Sequence, residues 1–144
     1  MSRAEREAFL AAVRVGVISI ADDGRGPLTV PIWYGYEPGG ELWVVTDRES
    51  RKGKLLMNVD RFSLCAQTET PPYQYVSVEG PIVALERALV EQHTRVLAHR
   101  YLGREGGDAY IKMTGASDET DRSIVVRMRP ERWLTVDYRK SYGR

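Results

Sequence analysis

Hydrophobic positions repeat with a helical period only at the start of the chain and in one stretch near residue 90; between and after them they alternate. Phe9, Leu10 and Val13 form an apolar stripe, and Ser2 with Glu5 three residues on makes a capping box. Residues 3–14 are therefore expected to form a helix. Val15 to Ala21 is β-branched and apolar and predicts a strand. The turn-forming run Asp22-Asp23-Gly24-Arg25-Gly26-Pro27 separates it from a second strand over 28–36. Glu37-Pro38-Gly39-Gly40 reverses the chain into a third strand over 41–46. Ser50 can cap a short helix reaching about Val59, with Leu55 and Leu56 inward. Arg61 to Gln67 and Tyr73 to Leu85 predict strands four and five, the latter bent at Gly80-Pro81. Leu89, Val96, Leu97 and Tyr101 fall in helical register, so 88–102 predicts the main helix, closed by Gly103. Asp108 is placed to cap a further short helix to Met113, and 115–121 reads as a loop. Ile124, Val126 and Met128 alternate in a last strand over 123–137, where Pro130 should force a bulge or an edge position. The tail, 138–144, is polar.

About six strands and two or three helices make an α+β protein, mainly antiparallel β. That number of strands in a chain this short favours closure into a barrel. At 144 residues the chain is expected to be one domain, 1–144. Lys and Arg number 21 against 20 Asp and Glu, a balance that argues against a nucleic-acid partner. One cysteine, Cys65, excludes an intrachain disulfide and fits a cytoplasmic location. No stretch approaches the ~20 apolar residues of a membrane span. The acidic start, with Glu5 and Glu7, is not that of a signal peptide.

Candidate chemistry concentrates where the third strand gives way to a helix. Thr46 ends the strand, Ser50 opens the helix, and Arg51 and Lys52 follow at once. Free N–H groups, two hydroxyls and two adjacent cations would hold a phosphomonoester. Read locally, a charge run such as Arg48 to Lys54 is more often a solvated loop. His93 and His99 are six residues apart on a helix and face different ways, so no shared metal site is expected. Cys65 sits mid-strand between Leu64 and Ala66 and reads as a structural thiol. No catalytic triad or carboxylate pair is evident.

The run from Thr46 through Ser50-Arg51-Lys52 to Asn58-Val59-Asp60-Arg61 and the following strand resembles the FMN-phosphate segment of the pyridoxamine 5′-phosphate oxidase family. Thr29-Val30-Pro31-Ile32-Trp33-Tyr34 is similar to the family's ring-side strand, and Tyr75-Val76-Ser77-Val78-Glu79-Gly80 to a later one. The resemblance implies a six-stranded FMN-binding split β-barrel. It also implies a cofactor site built from Pro31, Ile32, Trp33, Tyr34, Val45, Thr46, Ser50, Arg51, Lys52, Lys54 and Tyr75. The cofactor would carry the chemistry, with no catalytic side chain, and two subunits would seat it between them as a homodimer.

The chain departs from oxidases of pyridoxamine phosphate. Thr29 and Tyr34 stand where those enzymes carry an Arg and a Lys, and Arg127 to Trp133 contains no histidine. The Pro31-Ile32-Trp33-Tyr34 strand and the Arg-Pro-Glu-Arg-Trp segment over 129–133 look more like the branch that uses the deazaflavin coenzyme F420. Arg48 and Lys54 would suit that coenzyme's acidic oligoglutamate tail. The expected activity is hydride transfer from reduced F420 to a small organic acceptor such as a quinone, enone or tetrapyrrole. The alternatives are an FMN-dependent oxidoreductase and a non-enzymatic cofactor or haem binder. Trp33, Tyr34, Tyr73 and Tyr75 either shape the substrate face or serve as ordinary packing.

Overall fold

Ser2 opens the first helix through both bonds of the capping box. Its hydroxyl accepts from the Glu5 N–H at 3.1 Å, and the Glu5 carboxylate accepts from the Ser2 N–H at 2.8 Å. In the computed structural model, which describes residues 1–142, this helix is α1 (Arg3–Ala11). It seats Phe9 and Leu10 in the core. It stops before residue 14 because Ala12 is already extended.

Eight strands follow: β1 (Gly16–Ile20), β2 (Leu28–Ile32), β3 (Gly35–Tyr36), β4 (Leu42–Asp47), β5 (Arg61–Gln67), β6 (Gln74–Arg87), β7 (Ser123–Met128) and β8 (Arg132–Asp137). Their order is β2-β1-β5-β6-β7-β4-β3, with β8 also on β6, and every pairing is antiparallel. The sheet curls around one apolar core into a split barrel with helices at its flanks. The fold class is the expected one; the six strands become eight because two of them break.

The expected strand over 28–36 divides because its halves have different neighbours. β2 pairs with β1, and β3 pairs with β4, so they form opposite edges of the sheet. Trp33 and Tyr34 carry the chain across the split. The expected strand over 123–137 divides at Pro130, which has no N–H for a ladder. β7 lies along β4 and the second half of β6, and β8 along its first half. Between them Arg129 N donates to the Pro81 carbonyl at 3.0 Å and Glu131 N to that of Glu79 at 2.9 Å. Gly80 permits this close crossing: a Cβ there would stand 1.8 Å from the Arg129 carbonyl oxygen.

Alternate residues fill the interior. Ile18 and Ile20, Leu42 and Val44, Leu64, Val76 and Val78, and Val126 and Met128 are all buried. Leu10 and Leu56 close the core from the helices. Tyr34 is fully buried and donates its hydroxyl to the Leu10 carbonyl at 2.7 Å; burial pushes its pKa up to about 12.

The remaining helices differ from expectation in their limits. α2 (Arg51–Leu56) is capped by Ser50 and ends before Val59. The main helix begins with a π-helical turn, Val90–Thr94, and continues as α3 (Arg95–Thr114). Gly103, at φ 77° and ψ 173°, breaks α3 into two segments without ending it. Asp108 is not a cap. It accepts from Arg95 at 2.7 Å and lies 2.6 Å from His99 Nε2, tying the two segments together. Of the polar tail, Arg139–Tyr142 forms α4; Gly143 and Arg144 lie outside the described residues.

Candidate cofactor groove

A groove of about 690 Å³ opens between the sheet and α3. Its near wall is the seam of the split: Pro31, Ile32 and Trp33 at one end, Val45, Thr46, Ser50 and Lys52 at the other. Its far wall comes from Thr94, Leu97, Tyr110, Thr114 and the segment 115–121. The β2 side is therefore apolar and aromatic, while the rest carries hydroxyls, one cation, Lys52, and the carboxylates of Asp47 and Asp121. The volume lies within the ~300–1,000 Å³ usual for ligand sites.

The polar end is organised by Ser50. Its hydroxyl donates to the Asp47 carbonyl at 2.6 Å, accepts the Gly53 N–H at 3.1 Å, and lies 3.2 Å from Thr46 Oγ1. Thr46 is itself buried. The Ser50 and Lys54 N–H groups are bonded to backbone carbonyls and that of Gly53 to the cap. Those of Arg51 and Lys52 have no partner among the described residues and remain for a ligand. Gly53 lets α2 sit this close to the end of β4. A Cβ there would be 2.1 Å from the Asp47 carbonyl oxygen.

The two adjacent cations separate. Lys52 lines the groove, half-buried, and makes no ion pair among the described residues. Arg51 points away, to the Asp22 carboxylate in the turn after β1. Lys54 lies on that same side, with Arg25 and Arg51. Arg48 opens onto a smaller pocket of about 280 Å³ with Arg87 and Arg122, which shares Asp121 and Ser123 with the groove.

The aromatic end is stiffened by a stack. The rings of Trp33 and Tyr101 lie 5.1 Å apart and nearly parallel, at 7°. Tyr110 tilts against Trp33 with ring centres 5.5 Å apart. The Tyr101 hydroxyl accepts the Tyr34 N–H at 3.1 Å and reaches the Arg14 carbonyl at 2.7 Å. It thereby satisfies backbone that left the sheet at the seam.

The far wall is held by its own contacts. Asp118 accepts the Val90 N–H at 2.7 Å through its carboxylate, and its carbonyl takes the Arg87 guanidinium. His93 Nδ1 accepts the Leu89 N–H at 2.9 Å and packs edge-on against Trp43. Burial and the nearby Arg127 cation lower the His93 pKa. His99 is on a different face, with Asp108.

Of the residues expected at the cofactor, Pro31, Ile32, Trp33, Val45, Thr46, Ser50 and Lys52 share this groove. Tyr34, Arg51, Lys54 and Tyr75 do not line it. Tyr34 faces the core, and Tyr75 stands on the outer face of β6 opposite Gln67 and Val136. No local pattern in the sequence links the far wall to the seam, because it is assembled from residues more than forty positions beyond it. Only Gly115, in a left-handed conformation at φ 66° closing α3, marks it in the sequence. Cys65 is half-buried, and burial raises its pKa. No cluster of three metal-ligating side chains occurs among the described residues, and no helix among them is long and apolar enough to cross a membrane.

The family model described as Pyridoxamine 5′-phosphate oxidase matches residues 2–137. No curated protein matches the sequence. Solved structures with the same fold include the conserved hypothetical protein Rv2991 from Mycobacterium tuberculosis, at TM-score 0.73 and 23% identity over 99% of this chain and 88% of that one. An F420 reductase superposes at TM-score 0.62 and 14% identity, covering 89% of this chain and 94% of its own. A FAD-binding protein from Mesorhizobium loti superposes at TM-score 0.61 and 20% identity, over 94% of each chain.

Proposed function

The chain belongs to the pyridoxamine 5′-phosphate oxidase family of flavin-binding split barrels, and on that premise we propose that it is an oxidoreductase whose groove holds a phosphorylated flavin or deazaflavin. The observation that carries this reading is the polarity of the groove along its length, with Pro31, Ile32 and Trp33 at one end and Thr46, Ser50 and Lys52 at the other. A planar ring with a phosphate on a short arm matches that order. When bound, such a cofactor supplies hydride transfer.

The protein's part is placement. Lys52 and the N–H groups of Arg51 and Lys52 hold the phosphate by charge-assisted bonds. Because the Ser50 proton is committed to Asp47, Ser50 acts mainly by fixing the loop. Trp33, clamped by Tyr101 and Tyr110, sets the width of the ring end and excludes water there. No side chain need donate or accept a proton at the ring.

Between the two cofactors, F420 is the first choice. Its acidic tail, leaving the phosphate end, would meet the Arg48, Arg87 and Arg122 pocket that adjoins the groove at Asp121 and Ser123. Lys54, on the Asp22 side, is not placed for the same role. An F420 reductase shares the fold, which supports compatibility. FMN is the second choice. Titrating the protein with each and following fluorescence quenching tests the reading. Tight FMN binding with no F420 response would overturn the first choice. Binding without turnover of any quinone, enone or tetrapyrrole would favour a carrier.

A homodimer belongs to the same proposal. Val17, Cys65, Ser77 and Leu134 form one row across β1, β5, β6 and β8 on the outer face of the sheet. Val17 and Leu134 are exposed, and a second copy is the occupant proposed for that face. A free thiol and the absence of a membrane-crossing helix among the described residues fit a cytoplasmic protein.

A further inference from the structure

A second cavity, of about 820 Å³, adjoins the ring end of the groove, with Val15 and Pro31 in the walls of both. Its walls include the exposed apolar side chains of Val13, Val15 and Val17. Gln67, Thr68, Glu69, Thr70 and Gln74 make another part of the lining polar, and its one cation is Arg14. Its guanidinium carbon lies 3.9 Å from the centre of the Phe9 ring. Phe9 is buried, so the guanidinium rests on a fixed platform. Arg14 Nε is buried without a partner. The residue makes no ion pair among the described residues, although the exposed Glu69 carboxylate lines the same cavity. Arg3, Arg51, Arg61, Arg95, Arg127 and Arg139 pair with acids, whereas Arg14, like Arg6, rests on an aromatic ring with its Nε buried and unpartnered.

An unspent guanidinium, held in place by stacking beside the valine wall of the cavity, suits a ligand with an apolar body and an anionic group. We propose that this cavity is the acceptor site and that Arg14 selects acceptors carrying a carboxylate or similar anion. The inference rests on the cofactor reading above, since it is the shared Val15–Pro31 wall that would put such an acceptor beside the ring end. Phe9 is then a positioning residue, acting through Arg14. The outer rim of the cavity, at Cys65 and Gln67, lies on the sheet face offered to a second copy, which would roof the site.

The test uses two fluorescent probes that differ by a sulfonate: 8-anilinonaphthalene-1-sulfonate, and neutral N-phenyl-1-naphthylamine. Arg14→Gln should weaken binding of the sulfonate about 10-fold, as expected for losing a hydrogen bond between charges, and leave the neutral probe unchanged. Arg14→Lys, which keeps the charge but loses the stacked plane, should fall between the wild type and Arg14→Gln. Should Arg14→Gln fold poorly, the wild-type protein still decides. Raising salt from about 50 to about 500 mM should weaken the sulfonate alone. Equal effects on both probes, or none on either, would overturn the proposal. FMN titrations of the same proteins separate the two readings. Lys52→Ala should weaken FMN and spare the sulfonate, and Arg14→Gln the reverse. If the wild type binds neither FMN nor F420 while the sulfonate preference persists, the acceptor role falls along with the cofactor reading.

Discussion

Asp22 takes the guanidinium of Arg51 and so turns one of two neighbouring cations away from the groove that Lys52 lines. The two residues adjacent in sequence therefore have different work. Lys52→Ala should weaken FMN by about 10-fold or more, the size of a lost charge-assisted bond. Arg51→Ala should weaken it less than about 5-fold, because an exposed pair contributes at most ~1 kcal/mol. Fluorescence titration of both variants measures this. Equal losses would mean that Arg51 leaves Asp22 when ligand binds.

Gly53 is under a backbone constraint. An added methyl would lie 2.1 Å from the Asp47 carbonyl oxygen and 2.9 Å from Arg48 Cα. Neither neighbour is the end of a flexible side chain. Gly53→Ala should push α2 off β4 at a cost of about 1–3 kcal/mol. Urea unfolding would read the loss, and FMN affinity should fall with it, since the Ser50 cap sits on the same turn.

Tyr101→Phe keeps the ring stacked on Trp33 and removes only the hydroxyl. The Tyr34 N–H then loses its acceptor. A part-buried backbone donor left unpaired costs about 1–3 kcal/mol. The midpoint of chemical denaturation should drop while the aromatic lining of the groove persists, visible as retained binding of FMN at low temperature.

His93 gives the far wall a pH dependence. Folding lowers its pKa from the ordinary 6.5, through burial first and the Arg127 cation second. Among the other charged groups facing it, Glu86 opposes that shift. Above about pH 6.5 the ring is neutral in both states and accepts the Leu89 N–H. As pH falls below that value the unfolded chain takes up a proton more readily than the folded one, and stability declines. The Tm should therefore decrease from pH 7 toward pH 5, and His93→Gln should flatten that limb. An unchanged slope in the variant would show that other groups cause it.

Leu134 is the most exposed member of its cross-sheet row. Leu134→Glu should convert the proposed dimer to monomer without lowering the monomer's stability, as measured by sedimentation. A wild-type protein that is monomeric at micromolar concentration would remove this part of the proposal.

Local signals carried much of the structure. The capping box at Ser2 and Glu5, the Ser50 cap, and the alternation in β1 and β5 each rest on neighbours within a few residues, whereas β7 buries Ile124, Val125 and Val126 in succession. They could be read in order along the chain. The same holds for the strand-end hydroxyl, cap and cation at Thr46, Ser50 and Lys52, which one turn of backbone brings together.

What the sequence could not decide was anything that depends on two distant segments meeting. That Trp33 and Tyr34 cross the split follows from β2 and β3 lying on opposite sheet edges, not from their own residue types. The same alternating pattern that marks a strand is silent about its partner, so 28–36 and 123–137 each read as one strand. Arg51 and Lys52 are indistinguishable locally; only the approach of the Asp22 turn separates them. The far wall of the groove comes from α3 and the loop after it, and the cavity at Arg14 from β1, β2 and the 67–74 turn; such contacts are set by three-dimensional proximity and leave no periodic mark in the chain.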